Sequence, residues 1–172
     1  ASVEAETYFS IKDASRAWTE QVDGSVEAVD FSNVRNGRYF AVLPDSSTTH
    51  NRADAGGTLL LDYDCTIDYK VYIGTPGTYQ LYVRASGFSN TSDSLYAGIV
   101  ELRDGDGGVD GGNSEATDDV LPDWYLYKGI GQNATFSWHG EGVYESEGTG
   151  TAEPAVWDIT SPGDYTVRLS WR

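Results

Sequence analysis

A chain of 172 residues reads as all-β when its apolar side chains recur at every second position and its turns are filled by Gly, Asn, Asp and Ser. Two Pro-Gly turns each open onto such an alternating run, and the 39% hydrophobic content with 13% aromatics is enough to bury a sizeable core. The predicted arrangement is a single antiparallel β-sandwich or jelly roll spanning residues 1–172, a length that suits one domain.

The elements follow in chain order. Thr7–Ile11 opens the series as a strand with Tyr8 and Phe9. Ala14–Val22 has no convincing apolar stripe and is expected to be loop with a single turn. Arg38–Leu43 and Thr58–Tyr63 are short aromatic or aliphatic strand candidates. Between them Pro44–Gly57, with Asp45, His50, Asn51 and Asp54, reads as a long exposed connection. Tyr69–Ile73 leads into Thr75-Pro76-Gly77, where proline presets φ and glycine accepts a positive one. Beyond this turn Tyr79, Leu81 and Val83 share one face, with Gln80, Tyr82 and Arg84 on the other.

Ser94–Leu102 is the next strand. It ends at Asp104–Asp119, whose five glycines and six acidic residues cannot form a packed element; such a loop is either solvated or organised by metal. Trp124–Tyr127, Ala134–Trp138 and Ala155–Ile159 complete the middle of the series. Ser161-Pro162-Gly163 then repeats the earlier turn, and Val167, Leu169 and Trp171 alternate with Arg168, Ser170 and Arg172 over Thr166–Arg172.

Charge and cysteine content narrow the function. A net charge of −16 excludes nucleic acid or an anionic membrane surface as the main partner. No apolar run approaches the length of a membrane span. The single Cys65 excludes an intramolecular disulfide framework and a CxxC zinc site, and reads as a buried small hydrophobe. The opening Ala1-Ser2-Val3 suits a mature or trimmed chain, processed after a small residue.

Hard cations favour oxygen ligands, and two places offer them. Reading Asp104 as the first position of an EF-type loop puts Asp106 third and Asp110 seventh. The sixth position is Val109 where glycine is required, so a true EF-hand is not expected and an irregular Ca²⁺ loop stands against a merely solvated one. Glu4 and Glu6 are the second place. In an extended backbone they lie on one side at a spacing one cation can bridge; the competing reading is an edge strand whose charges blunt aggregation.

Catalytic patterns are missing. His50 and His139 sit in no HExxH motif, no GxSxG occurs, and no carboxylate pair is singled out by spacing, so a non-catalytic role is expected. Aromatic side chains at strand ends beside loops are better ligand candidates, because a flat ring stacks on the apolar face of a sugar at little entropic cost. By that criterion Trp124, Tyr125 and Trp138 are the candidates, with Trp18 in its polar segment as another.

Several segments then converge. Val3-Glu4-Ala5-Glu6-Thr7-Tyr8, Ser32-Asn33-Val34-Arg35-Asn36-Gly37-Arg38-Tyr39, Gly77-Thr78-Tyr79-Gln80-Leu81-Tyr82-Val83-Arg84, Ser92-Asp93-Ser94-Leu95-Tyr96 and Pro162-Gly163-Asp164-Tyr165-Thr166-Val167 occur in this order across almost the whole chain. Together they resemble calcium-dependent β-sandwich carbohydrate-binding modules, the galactose-binding-like jelly rolls of secreted polysaccharide-degrading enzymes. The resemblance implies that Glu4 and Glu6 ligate a structural Ca²⁺, that Asp93 falls where a strand end lines the ligand face, and that Trp124 follows the variable loop. It also implies a further strand beyond the last one, whereas this chain stops at Arg172 and the Asp104–Asp119 insertion is long for a compact module.

Two functions are therefore expected. The first is a secreted, non-catalytic, calcium-stabilised module that binds polysaccharide by aromatic stacking. The second is a subunit of an extracellular filament or adhesive layer, in which an identical subunit donates a strand to an open sheet edge at Thr166–Arg172 or is bridged by Ca²⁺.

Overall fold

The computed structural model describes residues 7–13, 16–22, 37–43, 65–87, 93–102, 124–130, 135–142 and 151–171. Its regular structure is antiparallel strand, so the all-β class holds. The main sheet has five strands in the order β1 (Ser10–Lys12), β4 (Thr66–Ile73), β13 (Gly163–Trp171), β7 (Leu95–Ile99) and β8 (Trp124–Tyr127). Among the described residues four two-stranded ribbons accompany it. They are β2 (Ala17–Val22) with β3 (Arg38–Leu43), β5 (Gly77–Gln80) with β12 (Val156–Ile159), β6 (Val83–Ala85) with β9 (Ser137–His139), and β10 (Glu141–Gly142) with β11 (Glu153–Pro154).

Alternation along these strands sends one set of side chains into the core. Ala97, Ile99, Tyr125, Tyr127 and Tyr165 of the main sheet meet Ala155, Trp157 and Ile159, with Leu81, Val83 and Ala85 of the β5–β6 segment packed against them. On the opposite face of the main sheet the register places Arg168 beside Asp68. Their bonds are bidentate, Nε to Oδ1 at 2.8 Å and Nη2 to Oδ2 at 2.8 Å, and Ser10 Oγ donates to the same carboxylate at 3.2 Å. Both charges are largely sealed from water, so the pair's geometry matters more than its Coulomb attraction.

The two Pro-Gly turns are corners at which the chain changes sheet. β4 leaves the main sheet and continues as β5 against β12, while β12 leaves that ribbon and continues as β13 against β4. The pairing is reciprocal: Ile73 lies opposite Gly163 and Ile159 opposite Gly77. At each corner a tyrosine two residues past the glycine donates back to the residue before proline. Tyr79 Oη reaches the Thr75 carbonyl and Tyr165 Oη the Ser161 carbonyl, both at 2.7 Å.

Several expectations are corrected. Within the segment expected to be loop, Ala17–Val22 is a strand: β2 pairs with β3 over six residues, and Glu20 and Arg38 add an ion pair of 2.6 Å. Pairing with a partner strand, which no local apolar pattern announces, makes it extended. The run beyond the first corner is interrupted after Gln80, because Leu81 N–H donates to the Ala155 carbonyl and the Leu81 carbonyl accepts from Tyr127 Oη, both at 2.9 Å. Both backbone groups at the break are thereby satisfied. Burial drives the Tyr127 phenol up, which keeps it a donor at any ordinary pH.

The last strand is not an open edge. β13 is paired with β4 over Gly163–Ser170 and with β7 over Val167–Trp171, so no strand can be added along Val167–Ser170. β7 ends at Ile99, short of Leu102, where Val100–Leu102 forms a 3₁₀ turn. That turn lets Glu101 Oε2 accept the Thr166 N–H and Oε1 the Thr166 hydroxyl, both at 2.7 Å, in place of further ladder bonds. The expected strand Thr58–Tyr63 and the loops Pro44–Gly57 and Asp104–Asp119 lie outside the described residues.

Candidate functional site

The β6–β9 ribbon turns its inner residues toward the core and its outer residues to solvent. Val83 and Ala85 pack inward, paired with His139 and Ser137. Arg84 lies directly opposite Trp138 on the outer face, and Trp138 is 60% exposed. One step further along the ribbon Tyr82, 54% exposed, lies across Gly140. The backbone of Gly140 does not adopt a positive φ; a Cβ there would meet Cε1, Cδ1 and Cζ of Tyr82, so a side chain at this position would displace the ring.

Polar bonds fix the surroundings of this pair of rings. Tyr82 Oη donates to Gln80 Oε1 at 3.0 Å, and Gln80 Nε2 donates to the Gly140 carbonyl at 2.8 Å. The same carbonyl accepts the Ala155 N–H at 2.9 Å, which ties the surface to the core. At the other end the Arg84 guanidinium stands 5.4 Å from the centre of the Phe136 ring, and Phe136 leans on buried Tyr39 at 5.6 Å. Trp138, Tyr82, Arg84, Phe136 and Gln80 thus form one outward row on a backed ribbon.

Acid–base chemistry is weakly provided here. Ser137 Oγ and His139 Nε2 are 2.9 Å apart. Burial lowers the His139 pKa against an opposing hydrogen bond that the ring donates to the Ala85 backbone, so the ring is neutral near pH 7. Its second contact is that backbone, not a carboxylate of the kind that orients a catalytic base. The row as a whole presents flat apolar rings with fixed donors beside them, a surface suited to binding.

The residues singled out in the sequence separate sharply. Trp138 stands on the row. Trp124 and Tyr125 do not: they are 1% and 3% exposed, and as stacking residues they are corrected. β8 is covered on both faces. Tyr125 meets Trp157 edge-on at 5.0 Å inside the main core, and Trp124 joins Tyr96 and Leu126 in a separate buried cluster. Trp18 is half-buried on β2, where its indole N–H donates to the Cys65 carbonyl at 3.2 Å. Asp93 is half-buried at the approach to β7, its carbonyl accepting from Ile130 N–H at 2.9 Å. Cys65 itself is buried and, as the one cysteine of the sequence, takes part in no intramolecular disulfide.

Glu4, Glu6, Asp104, Asp106 and Asp110 lie outside the described residues. Among the described residues no group of three or more His, Cys, Asp or Glu is placed to hold a metal ion. Sequence reasoning passed over Tyr82, Gln80 and Arg84 as ligand candidates, although the alternation after Gly77 already put all three on the face opposite Leu81 and Val83. Compared with protein-family models, curated proteins and solved structures, the chain matches none of them.

Proposed function

We propose that this chain is a secreted, non-catalytic carbohydrate-binding module that takes a neutral polysaccharide on the outer face of the β6–β9 ribbon. The observation that carries the reading is Trp138: a 60% exposed indole placed opposite Arg84 and next to exposed Tyr82, on a ribbon whose other face is anchored in the core. Large exposed aromatics on a rigid element are expensive in water and useful against the apolar face of a sugar ring. Arg84 supplies hydrogen-bond donors for hydroxyls at the rim. The net charge of −16 repels polyanions, which favours neutral chains.

Calcium belongs to the proposal as a stabilising ion held by Glu4 and Glu6 and by carboxylates of the Asp104–Asp119 loop, consistent with an oxygen-only donor set. The strand-donating form of the filament reading is not favoured, since the β13 edge it relied on is paired on both sides.

Affinity electrophoresis tests the proposal. The wild-type chain is run through gels containing hydroxyethylcellulose, galactomannan, xyloglucan or alginate, with calcium and with EDTA. Retardation by at least one neutral polysaccharide is expected, with Trp138→Ala losing about tenfold or more in affinity, on the scale of a stacked aromatic anchor. Absence of retardation by every polysaccharide at any calcium level would overturn it.

A further inference from the structure

Exposed tyrosines are ordinarily free to swing, and a binding surface made of swinging rings loses affinity to their ordering. Tyr82 is built otherwise. Its hydroxyl is donated to Gln80 Oε1 at 3.0 Å, the other end of that carboxamide is donated to the Gly140 carbonyl at 2.8 Å, and the ring lies over Gly140 where no Cβ exists to lift it. Gly140 is in turn bonded to Ala155, a residue with no exposed surface. The chain of contacts therefore runs from an exposed ring to the core in three links.

We infer that Gln80 is a positioning residue: it holds the Tyr82 ring flat on Gly140 so that Tyr82 and Trp138 present one preformed stacking surface. This rests on the carbohydrate-binding reading for its purpose, though the geometry of the ring is independent of any ligand. Gln80 suits the task because a carboxamide offers an acceptor and a donor at once, one for a phenol and one for a carbonyl. A carboxylate in its place keeps the first bond and turns the second into repulsion between two acceptors. The neighbouring row position, Thr78, bonds instead to Asp158 at 2.5 Å, so Gln80 alone joins Tyr82 to the Gly140 carbonyl among the described residues.

Two measurements on the intact chain test this. In the first, the Gly140 Hα resonances are followed by NMR, because a ring lying over them shifts them upfield. Gln80→Leu and Gln80→Glu are expected to move these resonances back toward ordinary values, while the thermal midpoint stays within a few degrees of wild type. Unchanged Gly140 Hα shifts in Gln80→Leu would overturn the inference whether or not any polysaccharide binds.

In the second, binding is measured with the polysaccharide that most retards the wild-type chain among hydroxyethylcellulose, galactomannan and xyloglucan. Gln80→Leu and Tyr82→Phe are each expected to weaken affinity about two- to tenfold, the worth of one hydrogen bond. The double variant should be no weaker than either single one, since both remove the same link. Independent, additive losses would overturn the positioning role and leave Gln80 as a direct contact. A wild-type chain that binds nothing would count against the proposed function alone, with the Gly140 shifts still deciding the place of the ring.

Discussion

Ile73-Gly74-Thr75-Pro76-Gly77-Thr78-Tyr79 and Ile159-Thr160-Ser161-Pro162-Gly163-Asp164-Tyr165 carry the same strand end, the same turn and the same back-bonded tyrosine, yet their continuations differ. After Tyr165 the chain runs on as β13 between β4 and β7. After Tyr79 it stops at Gln80, breaks at Leu81, and resumes as β6 with β9 as its partner. Counted from the corner, Arg168 occupies the place of Tyr82. Arg168 is clasped by Asp68 and largely covered, whereas Tyr82 lies open on Gly140. Turn chemistry fixes how the chain changes sheet; the covering of the next strand decides whether its outward side chains hold the fold together or meet a ligand.

The largest expected effect follows from that contrast. Asp68→Ala takes the bidentate carboxylate away from the Arg168 guanidinium in a nearly closed site, and urea unfolding should show a loss of up to about 3–5 kcal/mol, the cost of breaking a buried pair. Tyr82→Ala, at the equivalent distance from the other corner, should stay within about 0.5 kcal/mol of wild type, as surface changes do. Equal losses at the two positions would mean that Tyr82 belongs to the fold and not to a surface.

The corner tyrosines give a smaller and more even test. Tyr165 is 7% exposed and Tyr79 38%, so water can replace the bond lost in Tyr79→Phe far more easily. Tyr165→Phe should cost about 1 kcal/mol and Tyr79→Phe a few tenths, read from the same unfolding curves. A reversal of that order would show that the first corner, not the second, carries the fold.

How much of this the sequence discloses depends on whether a feature is local. The Pro-Gly corners, the alternation after them and the outward placing of Tyr82 and Arg84 follow from period two, and Arg38–Leu43 and Trp124–Tyr127 are bounded correctly by it. Trp124 and Tyr125 were misjudged because alternation cannot say that both faces of β8 are covered; that depends on residues distant in the chain. β2 was invisible for the same reason, being extended through its pairing with β3. The interior place of β13 is also nonlocal, since β4 lies about a hundred residues earlier, as the Asp68–Arg168 separation shows. Trp138 was legible as an aromatic at a strand end beside a loop, but the tie of Gln80 to the Gly140 carbonyl was not, because the two lie 60 residues apart.

The smallest effect concerns the positions just after the tyrosines, Thr166 and Gln80. Each is tied down by a neighbour, Thr166 by the Glu101 carboxylate and Gln80 by a neutral carbonyl, so only one corner should respond to acid. Burial works to raise the Glu101 pKa, but the two hydrogen bonds from Thr166, with help from the charge of Lys70, hold it below the ordinary value of 4.5. A depressed carboxylate pKa contributes stability that is fully present above about pH 4.5 and is lost as pH falls through the lowered value. Glu101→Gln removes that contribution. The variant should therefore be slightly less stable than wild type at pH 6–7, with the gap closing as both are titrated below pH 4.5. Gln80→Leu, measured alongside, should leave the pH dependence of stability parallel to wild type throughout. If the Glu101→Gln gap instead widens in acid, the carboxylate is not what secures Thr166, and the second corner is held by packing around Tyr165 alone.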